Sequence, residues 1–96
     1  MSVIYQTFES QQIDTVIHTP TPGSRIIVCR ALIEAPGVAS IKAPGVASIK
    51  LGSQTIVDLD SDGESHSGGF IVGDIDETLV LNCPADTTIT VCVEEA

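Results

Sequence analysis

Asp58-Leu59-Asp60-Ser61-Asp62-Gly63 sets three carboxylates at alternate positions ahead of a glycine. That is the front half of a calcium loop, in which hard oxygen ligands converge on a cation once the glycine turns the chain. Asp58, Asp60 and Asp62 are therefore the candidate metal ligands. The back half of the pattern is missing. The ninth position is His66 and the twelfth is Gly69, where the motif needs a bidentate Glu, and Asp74, Asp76 and Glu77 could join only through folding. A solvated acidic turn accounts for the same residues, because Asp and Gly are turn formers. Ser65 beside His66 is no nucleophile–base pair, since no Gly-x-Ser-x-Gly elbow accompanies it. Two distant histidines, His18 and His66, make no zinc signature. No catalytic residue and no cofactor site emerges, and the chain reads as a non-enzyme.

Cys29, Cys83 and Cys92 leave one thiol over, which fits free buried thiols in a reducing compartment better than a secreted disulfide framework. Cys29 reads as a core residue. Cys83 and Cys92 fall on opposite faces of their strands, which argues against a bridge between them. Ten acids and no Lys or Arg lie beyond Lys50, and the whole chain carries a net charge of −9. Phosphate binding needs clustered cations, so nucleic acid is excluded as a direct partner. The start of the chain shows no basic and apolar leader, and no apolar run is long enough to span a bilayer, so no membrane role is expected.

The elements that must position these groups are strands. Val, Ile and Thr supply 31 of the 96 residues, and β-branched side chains favour extended backbone. Prolines and glycines recur at short intervals, and no amphipathic helix pattern is present. The expectation is one domain over residues 1–96, all-β: a small antiparallel β-sandwich or jelly-roll-like barrel. Strands are expected at 3–8, 13–18, 25–34, 38–42, 46–50, 54–59, 70–72, 79–83 and 89–93, with a polar loop from Asp58 to Gly69. In the 25–34 strand, Ile27, Cys29, Ala31 and Ile33 alternate against Ile26, Val28, Arg30 and Leu32. Both faces are mostly apolar, so the strand is central or one face meets another subunit. Leu79, Leu81, Cys83, Ile89, Val91 and Val93 read as the inward face of a closing hairpin. The expected core includes Ile27, Cys29, Ile33, Leu79, Leu81, Val91 and Val93. So small and aliphatic a core points to a homo-oligomer.

Residues 35–50 are an exact tandem duplication: Ala35-Pro36-Gly37-Val38-Ala39-Ser40-Ile41-Lys42 is repeated unchanged as residues 43–50. An even-numbered insertion keeps the inside–outside alternation. One copy is expected to fill a slot beside the 25–34 strand while the other projects, with the two choices close in energy.

The stretch Asp14-Thr15-Val16-Ile17-His18-Thr19-Pro20-Thr21-Pro22-Gly23-Ser24-Arg25, with the apolar run from there to Ile33, resembles the front of small tailed-phage virion proteins. Val46 to Ser53, Glu77 to Cys83 and the closing Thr/Val strand are similar to their later parts. The resemblance implies a sandwich that decorates or cements a phage capsid or forms a head fibre. It would bind the major capsid protein, form homo-oligomers, trimers above all, and reside in the virion after assembly in the host cytoplasm. Two other readings stay open: a small cation- or carbohydrate-binding β-sandwich using the Asp58–Asp62 loop, and an engineered strand duplication.

Overall fold

The computed structural model describes residues 2–34, 47–59 and 64–96, the side chains of 59 and 64–69 excepted. The chain is all-β. Its strands are β1 (Ser2–Phe8), β2 (Gln12–His18), β3 (Ile26–Glu34), β4 (Ala47–Leu51), β5 (Gln54–Leu59), β6 (Glu64–Val72), β7 (Leu79–Cys83) and β8 (Thr87–Glu95). They form two packed four-stranded sheets, a front sheet in the order β1-β8-β3-β6 and a back sheet in the order β2-β7-β4-β5. All pairs are antiparallel, and β1 meets β8, β2 meets β7, β3 meets β6 and β4 meets β5. The chain is thus one long hairpin with its tip at the β4–β5 turn, rolled so that β8 also pairs with β3 and β7 with β4. That is the jelly-roll order.

Period-two alternation builds the core. Ile26, Val28, Ala31, Ile33, Ile89, Val91 and Val93 point inward from the front sheet. Ala47, Ile49, Leu51, Val57, Leu79, Leu81 and Cys83 point inward from the back sheet. Ile4, Phe8, Ile17 and Ile71 pack around them. The buried Thr87 hydroxyl donates to the Pro84 carbonyl at 2.9 Å, so the one buried polar side chain of the β7–β8 corner is satisfied.

Several expectations are corrected. Strand β3 changes phase: its pairing with β8 and β6 slips between Val28 and Arg30. A bulge adds one residue and flips the facing of every later one. Ala31 and Ile33 are inward as expected, but Ile27 and Cys29 lie half-buried on the outer face, and Ile26 and Val28 take the inward places. β7 and β8 are not a hairpin. They lie in opposite sheets, and the turn at 84–86 carries the chain across the sandwich, although all six residues assigned to their inner face are buried. The expected polar loop is strand from Glu64 onward, because the outer edge of β3 down to Glu34 needs a ladder partner.

The duplicated octads are corrected as well. β4 consists of the last four residues of the second copy plus Leu51, and it lies between β7 and β5, in the sheet opposite β3. The first copy lies outside the described residues. The two copies are identical, but their downstream neighbours differ. Lys50 runs into Leu51, which is fully buried, and Gly52, whose φ of 61° suits the tight turn into β5. Lys42 runs into Ala43 and Pro44. The residues that make the turn, Leu51 and Gly52, therefore follow the second copy alone.

Candidate functional site

Of the candidate calcium ligands, Asp60 and Asp62 lie outside the described residues. Asp58 is exposed on β5, opposite Ser48 of β4. It stands near the end of the sandwich where β5 runs out, whereas Asp74, Asp76 and Glu77 belong to the β6–β7 connection at the other end. The fold therefore sets Asp58 apart from Asp74, Asp76 and Glu77. Among the described residues, no three His, Cys, Asp or Glu side chains are grouped to hold a metal ion. The Ser65 and His66 side chains lie outside the described part.

The acids of the β6–β7 connection have structural work. Asp76 takes a left-handed φ of 65°, which Asp tolerates. Its Oδ1 accepts from Gly23 N at 2.8 Å, and its own N–H donates to Ser24 O at 2.8 Å. Glu77 Oε1 accepts from Asp74 N at 2.7 Å, and its carboxylate lies where a side chain on Gly52 would stand. The chain end is tied in by paired backbone bonds between Arg25 and Ala96, 2.9 and 3.0 Å. Three connections and the C-terminus are thus clasped into one end of the sandwich.

A shallow open cleft lies at this clasped end, lined by Ser2, His18, Val93, Glu94 and Glu95. His18 Nε2 is sealed from solvent and stands 3.4 Å from Glu95 Oε2. Glu95 Oε1 accepts from Thr21 N at 2.6 Å. That backbone N–H, with the Thr21 hydroxyl and then His18 adding to it, holds the Glu95 carboxyl below the usual carboxylate range. The arrangement is a clamp between the β2–β3 turn and β8. The sequence suggests an exposed edge or an interface for His18; its partner Glu95 is not foreseen, because 77 positions separate them and only the rolled hairpin brings them together.

Two of the thiols, Cys83 and Cys29, are made less acidic by their surroundings. Burial pushes Cys83 above its ordinary value, against opposing hydrogen bonds from Thr87 and the Gln12 backbone. Cys29 is also raised, by desolvation first and then by Glu94 and Cys92. Cys29 and Cys92 share the outer face of the front sheet, where the bulge sets Cys29 and Arg30 against Cys92.

That outer face is the most unusual surface of the molecule. Val3 and Tyr5 stand on β1, Cys92 on β8, Ile27 and Leu32 on β3, and Phe70 and Val72 on β6. Tyr5 is 73% and Phe70 75% exposed. Arg30 sits near the middle, with Glu94 and Glu34 toward the two ends. The chain matches no family model, no curated protein and no solved structure.

Proposed function

We propose that this chain is a non-enzymatic virion structural protein, a jelly-roll module that decorates or cements a tailed-phage head by binding its major capsid protein. The observation that carries the reading is the strand order. An eight-stranded double Greek key is an architecture shared by viral capsid domains, lectins and cupins. Fold alone assigns no function. The resemblance of residues 14–33, 46–53 and 77–83 to small phage virion proteins selects among these. The net charge of −9 agrees with a module held apart from its like until it meets a complementary surface.

The test is co-sedimentation of the purified chain with tailed-phage heads assembled from their major capsid proteins, with head melting as a second readout. Retention at a fixed ratio to the capsid protein and a higher melting temperature support the reading. Heads that neither retain the chain nor gain stability overturn it.

A further inference from the structure

We propose that the outer face of the β1-β8-β3-β6 sheet is covered by the same face of a second copy, in a two-fold pair whose axis runs along the strands. The inference does not depend on a role in the virion.

The large exposed apolar side chains of this face stand on its flanks, Val3 and Tyr5 on β1 and Phe70 and Val72 on β6. The centre, β8 and β3, carries the shorter or half-buried Thr90, Cys92, Ile27 and Leu32. A two-fold axis along the strands lays β1 of one copy over β6 of the other, and β3 over β8. The protruding flanks then meet on both sides: by the strand pairing Val3 of one copy comes beside Phe70 of the other, Tyr5 and Val72 lie about two residues further along in opposite directions, and the lower centres close between the flanks. Aligned sheets pack in this way at roughly 10 Å, within about 30° of parallel.

Charge favours the same arrangement. In a chain of net charge −9, a second copy is repelled from most directions. The middle of this face carries Arg30 and no described carboxylate. With β3 over β8, Arg30 of each copy comes level with Cys92 of the other, two residues along the strand from Glu94 and within the span of an arginine side chain. The pair is isologous, so this contact is made twice.

The size sets the strength. Four strands about 4.8 Å apart and about seven residues long make a face of roughly 19 by 24 Å. Two such faces bury on the order of 900 Å², short of the roughly 1,600 Å² of a standard interface. The pair is therefore weak and concentration-dependent, and its two-fold symmetry differs from the trimers that the phage resemblance implies.

Sedimentation equilibrium of the full chain from micromolar to several hundred micromolar tests this. The wild type should pass from monomer to dimer. Tyr5→Ser with Phe70→Ser, both at exposed positions, should leave the circular dichroism unchanged and weaken the dimer by about tenfold or more. Ile13→Ser, equally exposed on the back sheet, should leave dimerisation unchanged. Arg30→Glu should weaken the pair, and Arg30→Glu with Glu94→Arg should restore it. Maleimide labelling of Cys29 and Cys92 should slow as protein concentration rises. A wild type that stays monomeric throughout, as a face serving only a capsid would give, overturns the proposal. So does a trimer, or a dimer untouched by the Tyr5 and Phe70 substitutions.

Discussion

Inside the sandwich the two sheets use the same material: Ile26, Val28, Ile33, Ile89 and Val91 in front face Ile49, Leu51, Val57, Leu79 and Leu81 behind, all buried. Outside they differ. The back sheet presents Lys50, Thr55, Asp58 and an Asp14–Asn82 pair among a few apolar residues. In that pair Asn82 Oδ1 accepts from Asp14 N at 2.9 Å and Asn82 Nδ2 donates to Asp14 Oδ1 at 3.2 Å. Its edge strands are guarded: β2 is bulged twice, and β5 carries a slip and a charge. In the front sheet β1 pairs with β8 over seven residues without a slip, and it has no charged side chain. Inner faces are alike because both must fill one gap. Outer faces are free to differ, so the difference between them reports on partners.

The largest effect should come from the shared interior. Ile33→Ala in front and Leu81→Ala behind remove fully buried side chains. Each should cost about 2–5 kcal/mol, a large part of the roughly 5–15 kcal/mol typical of a domain. Urea titration should show similar losses for the two variants. A cost under about 1 kcal/mol for one alone would mean that the sheets do not share one core.

Next comes the seam where front meets back. Gly73 N donates to Ile26 O at 2.9 Å, and a methyl on Gly73 would come within 2.9 Å of the Leu51 side chain of the opposite sheet. Leu51 is fully enclosed and has nowhere to go. Gly73→Ala should therefore cost about 1–3 kcal/mol by overpacking. A neutral result in thermal melts would show that the two sheets can slide apart there.

A smaller effect, of opposite sign, is expected from the octads. Removing residues 35–42 or 43–50 leaves the same chain, with Val-Ala-Ser-Ile-Lys still leading into Leu51 and Gly52. β4 and the turn after it are retained, and closing the shorter connection from β3 should stabilise the fold by ~1 kcal/mol. A deletion variant that fails to fold would show that both copies contribute to the structure.

How much of the fold is legible in the sequence depends on the reach of each signal. The strands are readable from alternation, as are the inward residues of β7 and β8, because period two is local. The sheet each strand joins is not. Adjacent strands with a Pro-containing turn read as a hairpin, and only the pairing of β8 with β1 and β3 separates β8 from β7. The bulge at Cys29 is hidden too: an unbroken apolar run reads equally well in either phase, so nothing before Arg30 marks the slip. The strand character of residues 64–69 is masked by Ser and Gly, which an edge strand accepts once β3 offers a ladder. The Glu95 clamp needs the tertiary fold to exist at all.

That clamp gives the smallest predicted effect, one that joins front strand β8 to the turn entering β3. The folded state holds the Glu95 carboxyl below its ordinary range, chiefly through Thr21 N–H, so the folded chain takes up this proton less readily than the unfolded one. The contribution is therefore whole above the ordinary carboxylate range, and it is lost as pH falls through the lowered folded value. Glu95 is exposed, so solvent and salt screen the effect and it stays small. Glu95→Gln keeps an acceptor for Thr21 but cannot titrate. Melting curves from pH 7 down to about pH 3 should show the wild type losing its advantage over the variant in acid. The advantage at neutral pH should shrink in high salt. Parallel pH profiles for the two proteins would show that the Thr21 and His18 contacts do not couple this carboxyl to folding.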